Sequence, residues 1–315
     1  MTAQDILERL RGDRRALPRL ATLVENNDLR GLEALDALYG ATGQAHVVGI
    51  TGPPGVGKSS LIASLVERIR ASERRVAVLA VDPSSPLTGG AVLGDRIRMM
   101  GRHADPDVFV RSMASRGRQG GLAWTTASLV HLLDAAGFPF ILVETVGTGQ
   151  DGTDIASLAD TVMVVQAPGL GDGVQAIKAG LLEVGDVVVV NKSDQPGAGD
   201  TIRLLRSAFA LAHPTTARVV PILATTAVDG AGVAELLAAI DDHAAWLDSE
   251  GERTHRREQR ARTEVLAGIR AALDAKLQGL PHDSGALRAA VARVVNKEQS
   301  PRRAVASILA ALEDP

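Results

Sequence analysis

One run of residues in this sequence has an evident chemistry: Gly52-Pro53-Pro54-Gly55-Val56-Gly57-Lys58-Ser59, which fits G-x-x-x-x-G-K-[ST]. Its glycines let backbone N–H groups turn inward around a phosphate with no side chain in the way. Lys58 brings a point charge to the β- and γ-phosphates, and the Ser59 hydroxyl is suited to ligate Mg²⁺. Ser60 continues into an apolar helical run, so a helix N-terminus faces the phosphates. A nucleoside triphosphate with Mg²⁺ is the implied ligand.

The base follows from a second motif. Val187-Val188-Val189-Val190 delivers Asn191-Lys192-Ser193-Asp194, an N-K-x-D at a strand end. The Asp194 carboxylate can accept from guanine N1–H and the 2-amino group, whereas adenine offers a bare acceptor and no 2-amino group. Asn191 is expected to bond N7 and neighbouring loops, and Lys192 to pack over the ring. Thr226-Ala227 stands where a Ser-Ala-Lys-type loop presents a backbone N–H to guanine O6; the side-chain part of that motif is absent, and the backbone contact survives. GTP and GDP are therefore expected over adenine nucleotides.

Two carboxylates end other strands. Asp82 closes Val76–Val81 and is suited to Mg²⁺ or to positioning water; a turn cap before Pro83 is the plainer role. Glu144-Thr145-Val146-Gly147 has the spacing of the Asp-x-x-Gly that holds the metal and reads the γ-phosphate through Gly147, with Glu in place of Asp. Thr148, not Gln, follows Gly147, and Gln150 is a distant substitute. This predicts slow intrinsic hydrolysis.

These residues need a scaffold that gathers strand ends. From residue 46 to about 240, apolar runs alternate with helical ones. Expected strands are Val47–Thr51, Val76–Val81, Val108–Arg111, Phe140–Glu144, Thr161–Gln166, Val187–Asn191 and Val219–Leu223. Expected helices include Lys58–Ala71, Gly121–Ala136, Gln175–Leu182 and Asp200–Leu211. Continuous Val/Ile/Leu runs suit strands buried on both faces. The pattern predicts an α/β fold, a mostly parallel, doubly wound sheet with ligands at its carboxyl edge.

Residues 1–45 read as a helical extension, broken near Gly12 and Pro18. Residues 46–248 form the nucleotide domain, and 249–315 a helical segment that either covers the domain or serves as a dimerisation arm. The charged run 249–262 reads as a solvated helix face, with interface salt bridges as the alternative.

Composition narrows the field. The net charge of −3 and 2% aromatic content argue against nucleic-acid binding. There is no cysteine, hence no thiol chemistry or Cys-type metal site. Neither a signal-peptide core nor a membrane-spanning run is evident, so a cytoplasmic protein without membrane attachment is expected.

Together, segments 52–62, 81–99, 111–123, 144–150, 167–194 and the Thr226-Ala227 loop closely resemble the MeaB/ArgK/methylmalonic aciduria type A family of P-loop GTPases. The resemblance runs to about residue 250. It departs at Gln119, where Leu is more usual, and at the weakened Ser-Ala motif. It implies a homodimeric G-protein chaperone that uses GTP hydrolysis to gate adenosylcobalamin delivery to an acyl-CoA mutase and to protect that enzyme. Lys58 and Ser59 would serve phosphate and Mg²⁺; Asp82, Asp95 and Glu144 would form the acidic set around metal and water. Asp95 could instead be a surface partner of Arg96 or Arg98. Residues 84–98, 145–154 and 168–178 would be switches, with Asp172, Gln175 and Lys178 coupling the nucleotide state to the mutase. A GTPase serving another metal cofactor and a P-loop kinase are the alternatives. Scattered histidines (His46, His103, His131 and His213) fit structural roles and weaken the former.

Overall fold

The computed structural model describes residues 2–82, 105–114, 121–145, 155–169, 179–212, 218–278 and 285–313. Asp95, Gly147, Asp172, Gln175 and Lys178 lie outside them, as do the segment 84–98 and most of the other two proposed switches. Contacts divide the chain into two compact units, Met1–Val265 and Leu266–Pro315.

Strands β1 (His46–Thr51), β2 (Val76–Asp82), β3 (Val108–Ala114), β4 (Phe140–Thr145), β5 (Thr161–Gln166), β6 (Val187–Val190) and β7 (Ile222–Ala224) form one sheet in the order β3-β2-β4-β1-β5-β6-β7. Every pairing is parallel. The expected α/β sheet is thus present. β1, β4, β5 and β6 are buried along their whole length, which is why their sequences are apolar without alternation.

One face is covered by α4 (Lys58–Ala71) and α8 (Val233–Ser249), packed on Val48, Ile50, Leu142 and Val189. The other carries α5 (Gly121–Ala135), a 3-10 turn at Ile155–Ser157 and α7 (Ala198–Ala212). The N-terminal helices α1 (Ala3–Gly12), α2 (Ala16–Glu25) and α3 (Leu29–Leu38) extend this second cluster. A short α6 (Ala179–Val184) precedes β6. Asp134 of α5 fixes the entry to β1, accepting from the backbone N–H groups of Gly43, Gln44 and Ala45 at 2.5, 3.1 and 2.9 Å.

Two local expectations are corrected. Pro18 does not break the prefix; it lies in the first turn of α2, where its missing N–H has no partner to lose. The last strand starts at Ile222 rather than Val219, whose side chain is 90% exposed.

A third correction concerns the charged run. It opens α9 (Glu252–Gln278), and much of its charge turns inward. Arg256 forms a two-pronged pair with Asp186 at 2.7 and 2.8 Å, and Arg260 pairs with Asp160 at 2.6 Å. Both acids directly precede strands, and each also accepts a strand N–H: Asp160 from Val47, Asp186 from Val162, both at 2.8 Å. Burial alone would raise both carboxyls; Arg260 with Val47, and Arg256 with His243, outweigh it and hold both below the usual carboxylate range.

Two histidines complete this layer. Arg253 Nη1 donates to His46 Nδ1 at 3.4 Å, which leaves His46 Nε2–H to donate to Thr161 Oγ1 at 2.8 Å. The Thr161 hydroxyl then donates to His243 Nδ1 at 2.7 Å, and His243 Nε2–H faces Asp186 Oδ1 at 3.3 Å. The donors run in one direction from Arg253 to Asp186, with the His46 imidazole neutral. His46 is pushed down to about 4, chiefly by burial and against the pull of Asp160.

The second unit holds α10 (Gly285–Val295) and α11 (Pro301–Glu313), which pack against each other. No helix among the described residues is long and apolar enough to cross a membrane.

Candidate nucleotide-binding site

The loop between β1 and α4 runs from the carboxyl end of the central strand. Two of its glycines are required by space as well as by backbone angle. At Gly52 (φ +148°) a Cβ would stand 2.1 Å from the Val165 carbonyl oxygen, and at Gly57 (φ +91°) 2.5 Å from Asn191 Nδ2. Lys58 folds back over the loop, its ammonium donating to the carbonyls of Gly52 and Pro53 at 2.9 and 3.0 Å. Burial lowers its pKa, with the Glu144 charge opposing. A phosphate oxygen can replace those carbonyls as a stronger, charged acceptor.

The Ser59 hydroxyl donates to Glu144 Oε1 at 2.8 Å. Register places Ala80 beside Glu144 and Val81 beside Thr145, so Asp82, one residue further along β2, stands at the same sheet edge. A hydroxyl and a buried carboxylate in contact form an oxygen-only set that suits Mg²⁺. Among the described residues no cluster of three or more His, Cys, Asp or Glu makes a cage from protein alone. That too fits Mg²⁺, which takes few protein ligands and completes its shell with phosphate and water. Ser59 and Glu144 would hold the ion, which when bound would offset charge on the phosphate oxygens.

The base-side residues converge on the same loop. Asn191 is 1% exposed; its amide donates to the Val56 carbonyl at 2.9 Å. Its Oδ1 accepts from Thr225 Oγ1 and the Ala227 N–H at 3.2 and 3.1 Å. Lys192, in the left-handed region at φ 57°, donates to the Gly55 carbonyl at 2.9 Å. The Asn191 and Lys192 side chains therefore join the base strand to the phosphate loop. Asp194 is exposed and accepts no hydrogen bond among the described residues, leaving its carboxylate open to a donor edge.

Thr226 is not idle, although it replaces the usual serine: its hydroxyl meets Ser193 Oγ at 3.1 Å, while the Ser193 N–H donates to the Thr225 carbonyl at 3.0 Å. Ser193 occupies the variable position of N-K-x-D, and Thr225 precedes the motif loop, so the spacing of residues does not single out either one. Ser64, one turn beyond Ser60 on α4, was equally silent in the sequence; its hydroxyl donates to the Ala227 carbonyl at 2.6 Å.

A family model described as "Methylmalonyl Co-A mutase-associated GTPase MeaB" matches residues 17–281. The chain belongs to the MeaB family. It is 47% identical to a putative GTPase of Pyrococcus horikoshii over 84% of this chain and 86% of that protein. It is 35% identical to the GTPase ArgK of Escherichia coli, covering 82% and 81% of the two chains. The mouse mitochondrial methylmalonic aciduria type A homolog is 33% identical over 67% of this chain and 52% of its own length. A crystal structure described as an LAO/AO transport system kinase superposes with a TM-score of 0.69 at 26% identity, covering 99% and 97% of the chains.

This MeaB-family chain is thus a P-loop GTPase that converts GTP and water to GDP and phosphate. Catalysis of this kind consists of positioning and charge stabilisation around an in-line attack on the γ-phosphate. In such chemistry Lys58 would supply positive charge, with the Ser59–Glu144 pair a polar wall beside it.

Proposed function

We infer that this GTPase serves as a chaperone for an adenosylcobalamin-dependent acyl-CoA mutase, such as methylmalonyl-CoA mutase. GTP binding and hydrolysis gate cofactor delivery and protect the mutase from inactivation. The observation that carries this reading is the match of a family model, itself described as mutase-associated, across residues 17–281. The relationship to the methylmalonic aciduria type A homolog adds to it. In this reading the protein is a cytoplasmic homodimer. Lys58, Asp82, Asp95 and Glu144 act on phosphate, Mg²⁺ and water. Asn191, Lys192, Asp194 and the Thr226-Ala227 loop read guanine. Asp172, Gln175 and Lys178 transmit the nucleotide state to the mutase.

Hydrolysis is slow alone, because Thr148 rather than Gln follows Gly147, and is accelerated by the mutase. The test measures GTP turnover with and without candidate acyl-CoA mutases, alongside pull-down of each. Stimulation by a mutase it binds is expected; binding to none, with an unchanged rate, overturns the reading. The description of the structural relative as a transport system kinase raises a second reading, phosphate transfer to an acceptor in place of water. Product analysis separates them: a chaperone GTPase yields GDP and free phosphate, with no phosphoprotein.

A further inference from the structure

The geometry points to Ser64 as a positioning residue for guanine recognition, acting through the Ala227–Val228 peptide. This rests on the reading of Asn191–Asp194 and the 225–227 loop as the base site. Ser64 is half-buried on α4, and its hydroxyl lies 2.6 Å from the Ala227 carbonyl oxygen, against 3.3 Å from the Ser60 carbonyl of its own helix. The shorter bond crosses 163 positions of sequence. It ties the helix that begins at the phosphate loop to the loop that faces the base.

The consequence follows from peptide geometry. Ala227 is held at both ends: its N–H donates to Asn191 Oδ1 at 3.1 Å and its carbonyl accepts from Ser64. The chain has no cis peptide among the described residues. In a trans peptide the C=O and the following N–H point in opposite directions. Fixing the Ala227 carbonyl toward α4 therefore turns the Val228 N–H away from it. Val228 is 94% exposed, and its N–H donates to nothing among the described residues. That N–H is a fixed, uncommitted donor on the loop, suited to an oxygen acceptor at the 6-position of a purine. Without the Ser64 hydroxyl the peptide plane is free to rotate, and the donor loses its direction. Asn191 and Lys192 tie the phosphate loop to the base strand; among the described residues Ser64 alone bonds the carbonyl of this peptide.

The experiment compares the affinities of GDP, IDP and 6-thio-GDP for the full chain and for Ser64→Ala and Ser64→Thr. IDP keeps O6 but lacks the 2-amino group; 6-thio-GDP keeps the Asp194-facing edge but replaces O6 with a weak acceptor. Ser64→Ala should weaken GDP and IDP by about fivefold, the scale of one neutral hydrogen bond, and leave 6-thio-GDP within twofold. Ser64→Thr, which keeps the hydroxyl, should restore GDP binding. Equal weakening of all three nucleotides, or of none, overturns the assignment. Asp194→Asn checks the underlying base-site reading separately, because its amide can donate to the C2 carbonyl of xanthine. A switch from GDP to XDP preference upholds that reading whatever Ser64 does. With no switch, the base-site reading fails and the role of Ser64 falls with it.

Discussion

The Ser59 hydroxyl donates to Glu144 Oε1 at 2.8 Å, joining the first turn of α4 to the end of β4. The phosphate helix and the strand that leads toward the γ-phosphate reader thus meet through a polar contact, with Glu144 only 6% exposed. Replacing the carboxylate by an amide keeps the shape but removes the charge that a divalent cation requires. Glu144→Gln should lower single-turnover GTP hydrolysis by about 100-fold, the scale of one lost electrostatic group. GDP affinity measured in EDTA should stay unchanged. Full turnover in the variant would remove Glu144 from the acidic set.

Gly57 offers a test of the phosphate loop itself. Its φ of +91° and the Asn191 amide 2.5 Å from a Cβ leave no place for a side chain. Gly57→Ala must distort the loop or push Asn191 off the Val56 carbonyl. Left-handed backbone alone costs a non-glycine residue about 1–2 kcal/mol. Affinity for a fluorescent GDP analogue should fall about tenfold or more, and a titration showing native affinity would contradict this account of the loop.

Beneath the sheet, Arg256 and Asp186 should matter for stability and not for nucleotide binding. Arg256→Met leaves a carboxylate that is 9% exposed without its cation. Removing one partner of such a pair costs about 3–5 kcal/mol. Urea unfolding of the nucleotide-free chain should show that loss, while GTP affinity under folding conditions should be unaltered.

His46 gives the same layer an acid sensitivity. Its pKa falls from 6.5 to about 4 on folding, so between these values the unfolded chain binds a proton that the folded chain refuses. Stability is complete above pH 6.5 and declines by about 1.4 kcal/mol per unit as pH drops toward 4, roughly 3 kcal/mol in all. Asp160 and Asp186 have lowered pKa values, so they contribute fully above the ordinary carboxylate range and lose that contribution only at lower pH still. Denaturation midpoints at pH 7.5, 6 and 5 should trace the histidine's part. His46→Gln should flatten that interval, and an unchanged slope in the variant would assign the proton to another group.

The two nucleotide motifs were legible because their chemistry is local: Gly52 to Ser59 and Asn191 to Asp194 are each a short contiguous run. The sheet was legible because strands buried on both faces write themselves as unbroken Val and Ile. The edge strand was not, since Val219 is as β-prone as Ile222 but faces solvent. The inward-turned arginines were missed for a different reason. Arg253, Arg256 and Arg260 recur at i, i+3 and i+7, so they share one helix face, and Asp160 and Asp186 each stand just before a buried strand. Only the folded chain brings these two patterns together, across 70 residues for Arg256–Asp186 and 100 for Arg260–Asp160. Ser64 and Ser193 are similarly inconspicuous: a serine is recognised as a brace only when its distant acceptor is known.

The relay from Arg253 to Asp186 also decides where this molecule can be cut. A chain shortened to end at Ser249 would keep every strand, the phosphate loop and the base motif. It would also strip Arg253, Arg256 and Arg260 from the sheet's amino edge, leaving Asp160 and Asp186 enclosed without the guanidinium groups that pair with their carboxylates. The smallest self-sufficient nucleotide-binding fragment therefore has to carry the opening turns of α9, at least through Arg260.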